Sequence, residues 1–254
     1  MLHVLNAAKQ FKDRTIFSRF DLNVDQGGFK ILLGPSGCGK TTLFNVLTGA
    51  VSLDQGRLFW KDREISHLGS LAAYMQQKDM LLPWFSLLDN ALLPAKIRGA
   101  EKQGAADQAR RFFKRLGIEG FESYMPSQVS GGMRQRCALA RTLMFNREMV
   151  LLDEPLSALD TITRRGLYPL LLTLQSEFKK TILMITHDIE EALLLGDEVV
   201  LLRSDPMMVS RSFVLNQPKP RLFNDPELLK VKQEILNILE TLNILETGGA
   251  HETG

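Results

Sequence analysis

Gly34-Pro35-Ser36-Gly37-Cys38-Gly39-Lys40-Thr41-Thr42 is the stretch whose reading decides the fold. It fits the phosphate-cradling pattern G-x-x-x-x-G-K-[ST], with Gly34, Gly39, Lys40 and Thr41 in the defining places. Glycines let backbone N–H groups turn inward around phosphate oxygens, where a bulky side chain would intrude. Lys40 brings an ammonium to the outer phosphates, and Thr41 offers a hydroxyl to Mg²⁺. The flanks agree. Phe29 to Leu33 is a short apolar run that reads as a buried strand. Leu43, Val46 and Leu47 recur at helical spacing, and Gly49 is placed to end that helix. Strand, glycine loop and helix N-terminus together put an anion at the positive end of a helix dipole.

The whole chain sets the bounds. Its 254 residues suffice for one large core, with room for a subdomain. Charged residues make up 24% and the net charge is only +2, which argues against an electrostatic nucleic-acid binder. The two cysteines, Cys38 and Cys137, make no disulfide or zinc framework and fit a reducing compartment. The first residues lack the order of a secretory signal, and no run approaches the ~20 apolar residues that span a bilayer. Any membrane role is therefore expected to be peripheral.

Taken in order, residues 2 to 24 read as two strands around a polar turn. Phe11 sits in that turn, either as a face for a flat base or as an edge-of-core aromatic. Arg57 to Trp60 and Leu71 to Met75 read as further strands. Pro83 then breaks regular structure beside a dense apolar cluster, Leu81 to Phe85. That cluster is either core or a groove for a partner helix. From Glu101 to Leu116 a helix is expected, with Ala105, Ala109, Phe112, Phe113 and Leu116 on one face. Its Arg110, Arg111, Lys114 and Arg115 are expected on the solvated side. Ser130 is a good N-cap for a helix whose Met133, Cys137, Ala140 and Met144 share a face.

Met149 to Leu152 runs into Asp153 and Glu154, an apolar strand ending in two acids. Acids there are costly unless they have a task, and at the carboxyl ends of parallel strands they meet the ligand crevice. Asp153 would hold Mg²⁺, and Glu154 would orient or deprotonate an attacking water. A helix to about Lys180 follows, with Pro169 inside it expected to kink it or mark a late start. Thr181 to Thr186 reads as a buried strand capped by His187, a side chain able to donate to a developing phosphate charge. Two more strands, Asp197 to Leu202 and Met207 to Leu215, precede a closing helix at about 225–245. Leu229, Ile235, Ile238 and Leu242 would be its buried face, and 246–254 a loose tail.

These motifs, in this order, resemble the ATP-binding subunits of ABC transporters, specifically bacterial importers. The stretch 34–42 looks like their Walker A loop, and Val129-Ser130-Gly131-Gly132-Met133 like their signature sequence. Residues 150–155 look like Walker B, 157–160 like the D-loop and 185–188 like the histidine switch. The resemblance spans about residues 2–240 and implies an α/β P-loop NTPase core with an N-terminal antiparallel β portion. It implies a core of about 1–77 and 146–215 and an α-helical insert of about 78–145. Its implied catalytic residues are Glu154, His187, Gln77 and Lys40, and its implied Mg²⁺ ligands are Thr41, Gln77 and Asp153. ATP would touch Phe11, Gly34, Pro35, Ser36, Gly37, Cys38, Gly39, Lys40, Thr41 and Thr42 in this chain. Ser130, Gly131 and Gly132 would face the ATP of a second ATPase subunit in a head-to-tail sandwich dimer.

The signature departs at Val129 and Met133, where leucine and glutamine are usual. Both that form and Leu81-Leu82-Pro83-Trp84 are similar to importers of nitrate, sulfonate, taurine and pyrimidine precursors. The resemblance therefore implies that Leu81–Phe85 receives a transmembrane permease, with an external solute-binding protein acting indirectly and no nucleic acid involved. It places the chain peripherally on the cytoplasmic face of the bacterial inner membrane. An exporter subunit and a non-transport ABC ATPase are the alternatives.

Overall fold

The computed structural model describes residues 1–248 of the chain. The chain opens with strands β1 (Leu2–Phe11), β2 (Arg14–Val24) and β3 (Phe29–Leu33), then helix α1 (Lys40–Thr48). Strands β4 (Gln55–Trp60), β5 (Arg63–Ile65) and β6 (Ala72–Met75) follow. Three helices come next, α2 (Leu87–Ile97), α3 (Lys102–Arg115) and α4 (Gly131–Met144). The remainder alternates: β7 (Met149–Asp153), α5 (Thr161–Ser176), β8 (Thr181–Thr186), α6 (Ile189–Leu195), β9 (Glu198–Arg203), β10 (Met208–Val214) and α7 (Pro226–Gly248).

The strands form two sheets. A four-stranded antiparallel sheet has the order β2-β1-β4-β5. A six-stranded sheet has the order β10-β9-β3-β8-β7-β6, parallel throughout except at β10. Parallel strands need both faces covered, so their sequences are apolar without a gap. The side chains nevertheless divide by parity. Val150, Leu152, Ile182 and Met184 join the core that also contains α2 to α7. Met149, Leu151, Leu183 and Ile185 join the other core, with α1 and the antiparallel sheet. Adjacent residues point to opposite faces, so one apolar run serves two cores.

The helical segment is held to the sheet domain by polar bonds as well as packing. Asn90 of α2 is fully buried and fixes the turn before its own helix. Its Oδ1 accepts from the Leu82 N–H at 2.7 Å, and its Nδ2 donates to the carbonyls of Leu82, Phe85 and Ser86 at 3.0–3.1 Å. Asp79 Oδ2 accepts from Arg134 Nε of α4 at 3.0 Å. Arg141, two turns further along α4, donates to the carbonyls of Met80 and Asp79, both at 2.7 Å. The segment between β6 and α2 is thus fastened at its start to α4 and at its end to α2.

Several elements differ from the expectations above. Helix α2 carries Pro94 inside it, and α6 is short, so neither stands out by periodicity. The helix expected to reach Lys180 stops at Ser176, and it begins at Thr161, capped by the side chain of Asp160. Pro169 lies inside that helix and does not delay its start. In α7, Ile235 is buried and Ile238 packs on the core as expected, but Leu228 rather than Leu229 is the buried leucine of the first turn. That helix continues to Gly248, through the beginning of the expected tail; 249–254 and the side chain of Leu242 lie outside the described residues.

Candidate functional site

Four of the sheet's parallel strands are neighbours in the order β3-β8-β7-β6, and each ends at the same edge. Chain continuity therefore delivers four short polar segments side by side. The loop 34–39 follows β3, His187 follows β8, Glu154 follows Asp153 at the end of β7, and Gln77 follows β6. This is the crevice outside the carboxyl ends of the strands, where α/β sheets bind ligands.

The loop has the local geometry its sequence implies. Gly39 caps α1 with φ +118°, a left-handed conformation that side chains rarely adopt. A Cβ there would also lie 2.6 Å from Ile16 Cγ2. Lys40 is buried, and its ammonium donates to the carbonyls of Gly34 (2.8 Å) and Pro35 (2.6 Å). An open cleft of ≈ 280 Å³ is lined by Ser36, Gly37, Gly39, Lys40, Thr41, Thr42, Gln77 and Glu154.

Glu154 sits where three elements converge. Its backbone is left-handed at φ +48°, an uncommon conformation for a non-glycine residue. Its N–H donates to the Ile185 carbonyl of β8 at 2.9 Å. One carboxylate oxygen accepts from Gln77 Nε2 at 3.1 Å. The other lies 3.3 Å from His187 Nδ1. So Gln77 and His187, 110 residues apart in the sequence, meet through one carboxylate.

Asp153 is 1% exposed. Burial pushes its carboxyl above the usual carboxylate range, opposed by the nearby Thr41 hydroxyl and reinforced by the charge of Glu154. Tyr74 donates to its Oδ2 at a long 3.4 Å, and Oδ1 has no hydrogen-bond partner. An orphaned buried carboxylate oxygen beside a hydroxyl is a donor set that suits a hard cation. Among the described residues no group of three or more His, Cys, Asp or Glu could hold a metal by itself.

Other expected residues lie apart from this cleft. Ser130 caps α4 by accepting from the Met133 N–H at 3.2 Å. A Cβ on Gly132 would come within 2.9 Å of Leu159 Cδ2, so the helix start packs closely on the 156–160 turn. Neither Ser130, Gly131 nor Gly132 lines the cleft made by Gly34–Thr42 of the same chain. Phe11 is 46% exposed at the end of β1, with Lys9 Nζ 5.0 Å from its ring centroid. In the Leu81–Phe85 cluster, Leu81 is buried while Trp84 is 66% exposed. The cluster is thus part core and part surface.

Sequence reasoning missed the residues that hold these parts in place. Arg164 pairs with Asp188 at 2.7 Å and also reaches Glu191 at 3.5 Å. Thr186 Oγ1 donates to Glu191 Oε2 at 2.7 Å and accepts from the Asp188 N–H at 3.0 Å. These bonds fix the turn that carries His187. The spacing of Arg134 and Arg141, seven apart on one helix face, was the available signal for the Asp79 clamp.

Comparison with known proteins agrees with this arrangement. Residues 17–157 match the ABC transporter family. The chain belongs to that family. It is 35% identical over 245 residues to the taurine import ATP-binding protein TauB of Escherichia coli K12, covering 93% of this chain and 96% of that one. It is 37% identical over 220 residues to MJ0412 of Methanocaldococcus jannaschii, an uncharacterised ABC transporter ATP-binding protein, covering 87% and 82%. Its fold is similar to that of the ATP-binding cassette MJ0796, solved as a dimer in a post-hydrolysis state with ADP and Pi. The TM-score is 0.79 at 28% identity, over 86% of this chain and 100% of that one. Among the described residues no helix is long and apolar enough to cross a membrane.

The buried carboxyl of Glu191 gives a pH prediction. Burial, with the charge of Asp188 adding to it, raises its pKa from 4.5 to about 7, against the opposing Thr186 hydroxyl and Arg164. The folded state therefore holds a proton that the unfolded chain releases, and stability falls as pH rises between about 4.5 and 7. Glu191→Gln keeps an acceptor for Thr186 and removes this loss. Denaturation at pH 5 and pH 8 should show the variant gaining about 2–3 kcal/mol relative to wild type at the higher pH. Parallel pH dependence in the two proteins would refute the assignment.

Proposed function

We propose that this chain is the ATP-hydrolysing subunit of a solute importer of the taurine/sulfonate group. Its motor would act on a membrane permease from the cytoplasmic face, with solute delivered by an external binding protein. The observation that carries the reading is the carboxylate of Glu154, held between Gln77 and His187 at the mouth of the phosphate-loop cleft. The importer assignment is supported by the near-complete alignment with TauB.

In this reading the cradle of backbone N–H groups and Lys40 hold the outer phosphates, with Lys40 exchanging the Gly34 and Pro35 carbonyls for phosphate oxygens. Gly34, Pro35, Ser36, Gly37, Cys38, Gly39, Thr41 and Thr42 complete the pocket. Thr41, Asp153 and Gln77 would hold Mg²⁺, which when bound neutralises charge on the outer phosphates. Glu154 orients the attacking water and accepts its proton. His187 donates to the phosphate charge that develops. The base of ATP stacks on Phe11, whose ring is backed by Lys9. Little covalent chemistry is asked of the protein; positioning and electrostatics supply the rate.

Ser130, Gly131 and Gly132 stand apart from their own chain's cleft. A second subunit arranged head to tail would give each signature turn an ATP to contact. The dimeric solved relative supports such an assembly. The exposed side of Leu81–Phe85, led by Trp84, is the proposed permease surface.

Three measurements test these roles. Glu154→Gln should retain ATP binding, lower turnover by about a thousandfold and accumulate an ATP-dependent dimer on gel filtration. Near-normal hydrolysis would remove Glu154 from the role of base. Phe11→Ala should weaken ATP binding by about tenfold at unchanged maximal rate, consistent with loss of one stacking contact; unchanged affinity returns Phe11 to a structural role. Trp84→Asp should leave hydrolysis by the isolated chain intact and abolish its co-purification with a multi-span membrane protein from host membranes. Retained co-purification would place the permease contact elsewhere.

A further inference from the structure

One buried polar contact that the proposed chemistry leaves unused touches Glu154 itself, and it is made by Gln135 of α4. This side chain is 4% exposed. Its Nε2 donates to the Glu154 carbonyl at 3.1 Å and lies 3.3 Å from Ser157 Oγ. Its Oε1 accepts from the Ala158 N–H at 2.9 Å. The amide thus has both ends engaged with the turn that follows β7.

The placement matters because of what Glu154 needs. A left-handed backbone is strained at a non-glycine residue and persists only where its surroundings enforce it. Here the N–H side is held by Ile185, and the carbonyl side by Gln135 at 3.1 Å, by the Ser157 hydroxyl at 3.0 Å and by the Ser157 N–H at 3.3 Å. Without the two side-chain donors the carbonyl keeps only the long bond from the Ser157 N–H, a weaker restraint on the peptide that aims the Glu154 carboxylate at Gln77 and His187.

Gln135 also lies on the same helix as Ser130, little more than one turn along. A displacement of the α4 N-terminus is therefore carried directly to the backbone of Glu154.

We propose that Gln135 is a positioning residue: it holds the backbone of Glu154 in its active orientation and ties that orientation to the position of the signature helix. This inference rests on the reading of Glu154 as the base. It predicts a defect in the chemical step rather than in nucleotide binding. Gln135→Met keeps the length and loses both hydrogen-bonding ends. Gln135→Glu keeps the acceptor for Ala158 and loses the donor to Glu154. Ser157→Ala removes the hydroxyl donor and keeps the backbone one, at an exposed position where folding is not at stake.

The experiment measures kcat, ATP affinity with a fluorescent nucleotide, and Tm on the full-length chain. Both Gln135 variants should lower kcat by at least about tenfold while ATP affinity stays within about twofold of wild type. Ser157→Ala should lower kcat by about threefold with Tm unchanged. The inference is overturned by a Gln135→Glu variant with normal kcat, since a packing role is satisfied by the isosteric side chain. It is overturned equally by parallel losses of kcat, affinity and Tm in the Gln135 variants with Ser157→Ala unaffected. A wild-type chain that does not hydrolyse ATP would overturn the functional reading, and this inference with it. An active wild type, an inactive Glu154→Gln and a normal Gln135→Met would overturn the role of Gln135 alone.

Discussion

Closing both faces of the parallel sheet is the constraint on which the rest depends. Five-residue strands such as β3 and β7 are buried at every position, so they offer no side chain to solvent. Polar chemistry is then confined to where the strands end. Because β3, β8, β7 and β6 are adjacent and parallel, their carboxyl ends share one edge. Residues scattered from position 34 to position 187 are gathered there by topology. The same burial makes Asp153 expensive: a strand residue with 1% exposure carries a carboxylate oxygen with no partner. A cation is the physical remedy for such a group.

Glu154 is the second fixed point. A residue with an ordinary extended backbone at this place would continue the strand and send its side chain into one of the two cores. The left-handed turn at φ +48° instead turns the chain out of the sheet and leaves the carboxylate at the crevice. Strain of this kind is stable only when neighbours over-determine it. Those neighbours come from β8, from the turn 156–160 and from α4, which are three separate parts of the chain. The site is consequently sensitive to the relative position of the helical segment and the sheet.

Much of this was legible in the sequence, and the limits have physical causes. The loop 34–42 and the acidic strand end at 153–154 are local signals, because the residue types and the spacing that do the chemistry are contiguous. Ser130 was readable as a cap for the same reason. Helix α2 was not, since Pro94 and the preceding Leu81–Phe85 cluster mask its period. Gln135 was invisible because glutamine in a helix is ordinarily a solvated residue, and only the fold brings the 154–158 turn against it. The clamp of Asp79 by Arg134 and Arg141 is likewise a meeting of distant segments. Leu228 rather than Leu229 faces inward because it lies two turns before buried Ile235, on the face that Val231 and Ile238 share, and the adjacent pair of leucines hid that choice.

The two levels of connection between α4 and the sheet domain differ in kind, and the difference bears on how force would pass. At its start α4 grips the Asp79 carboxylate through Arg134, and two turns further along it grips the carbonyls of Asp79 and Met80 through Arg141. Such bonds tolerate sliding, because guanidinium groups on long side chains can follow a moving carbonyl. Between the arginines, Gln135 makes buried contacts of 2.9–3.3 Å with a backbone turn, and its shorter side chain can follow a moving partner over less distance than an arginine can. A load applied near Leu81–Phe85 would therefore reach α4 through compliant links, while α4 reaches Glu154 through a stiff one. An assembly built this way permits the helical segment to adjust to a partner and still registers its final position sharply at the carboxylate.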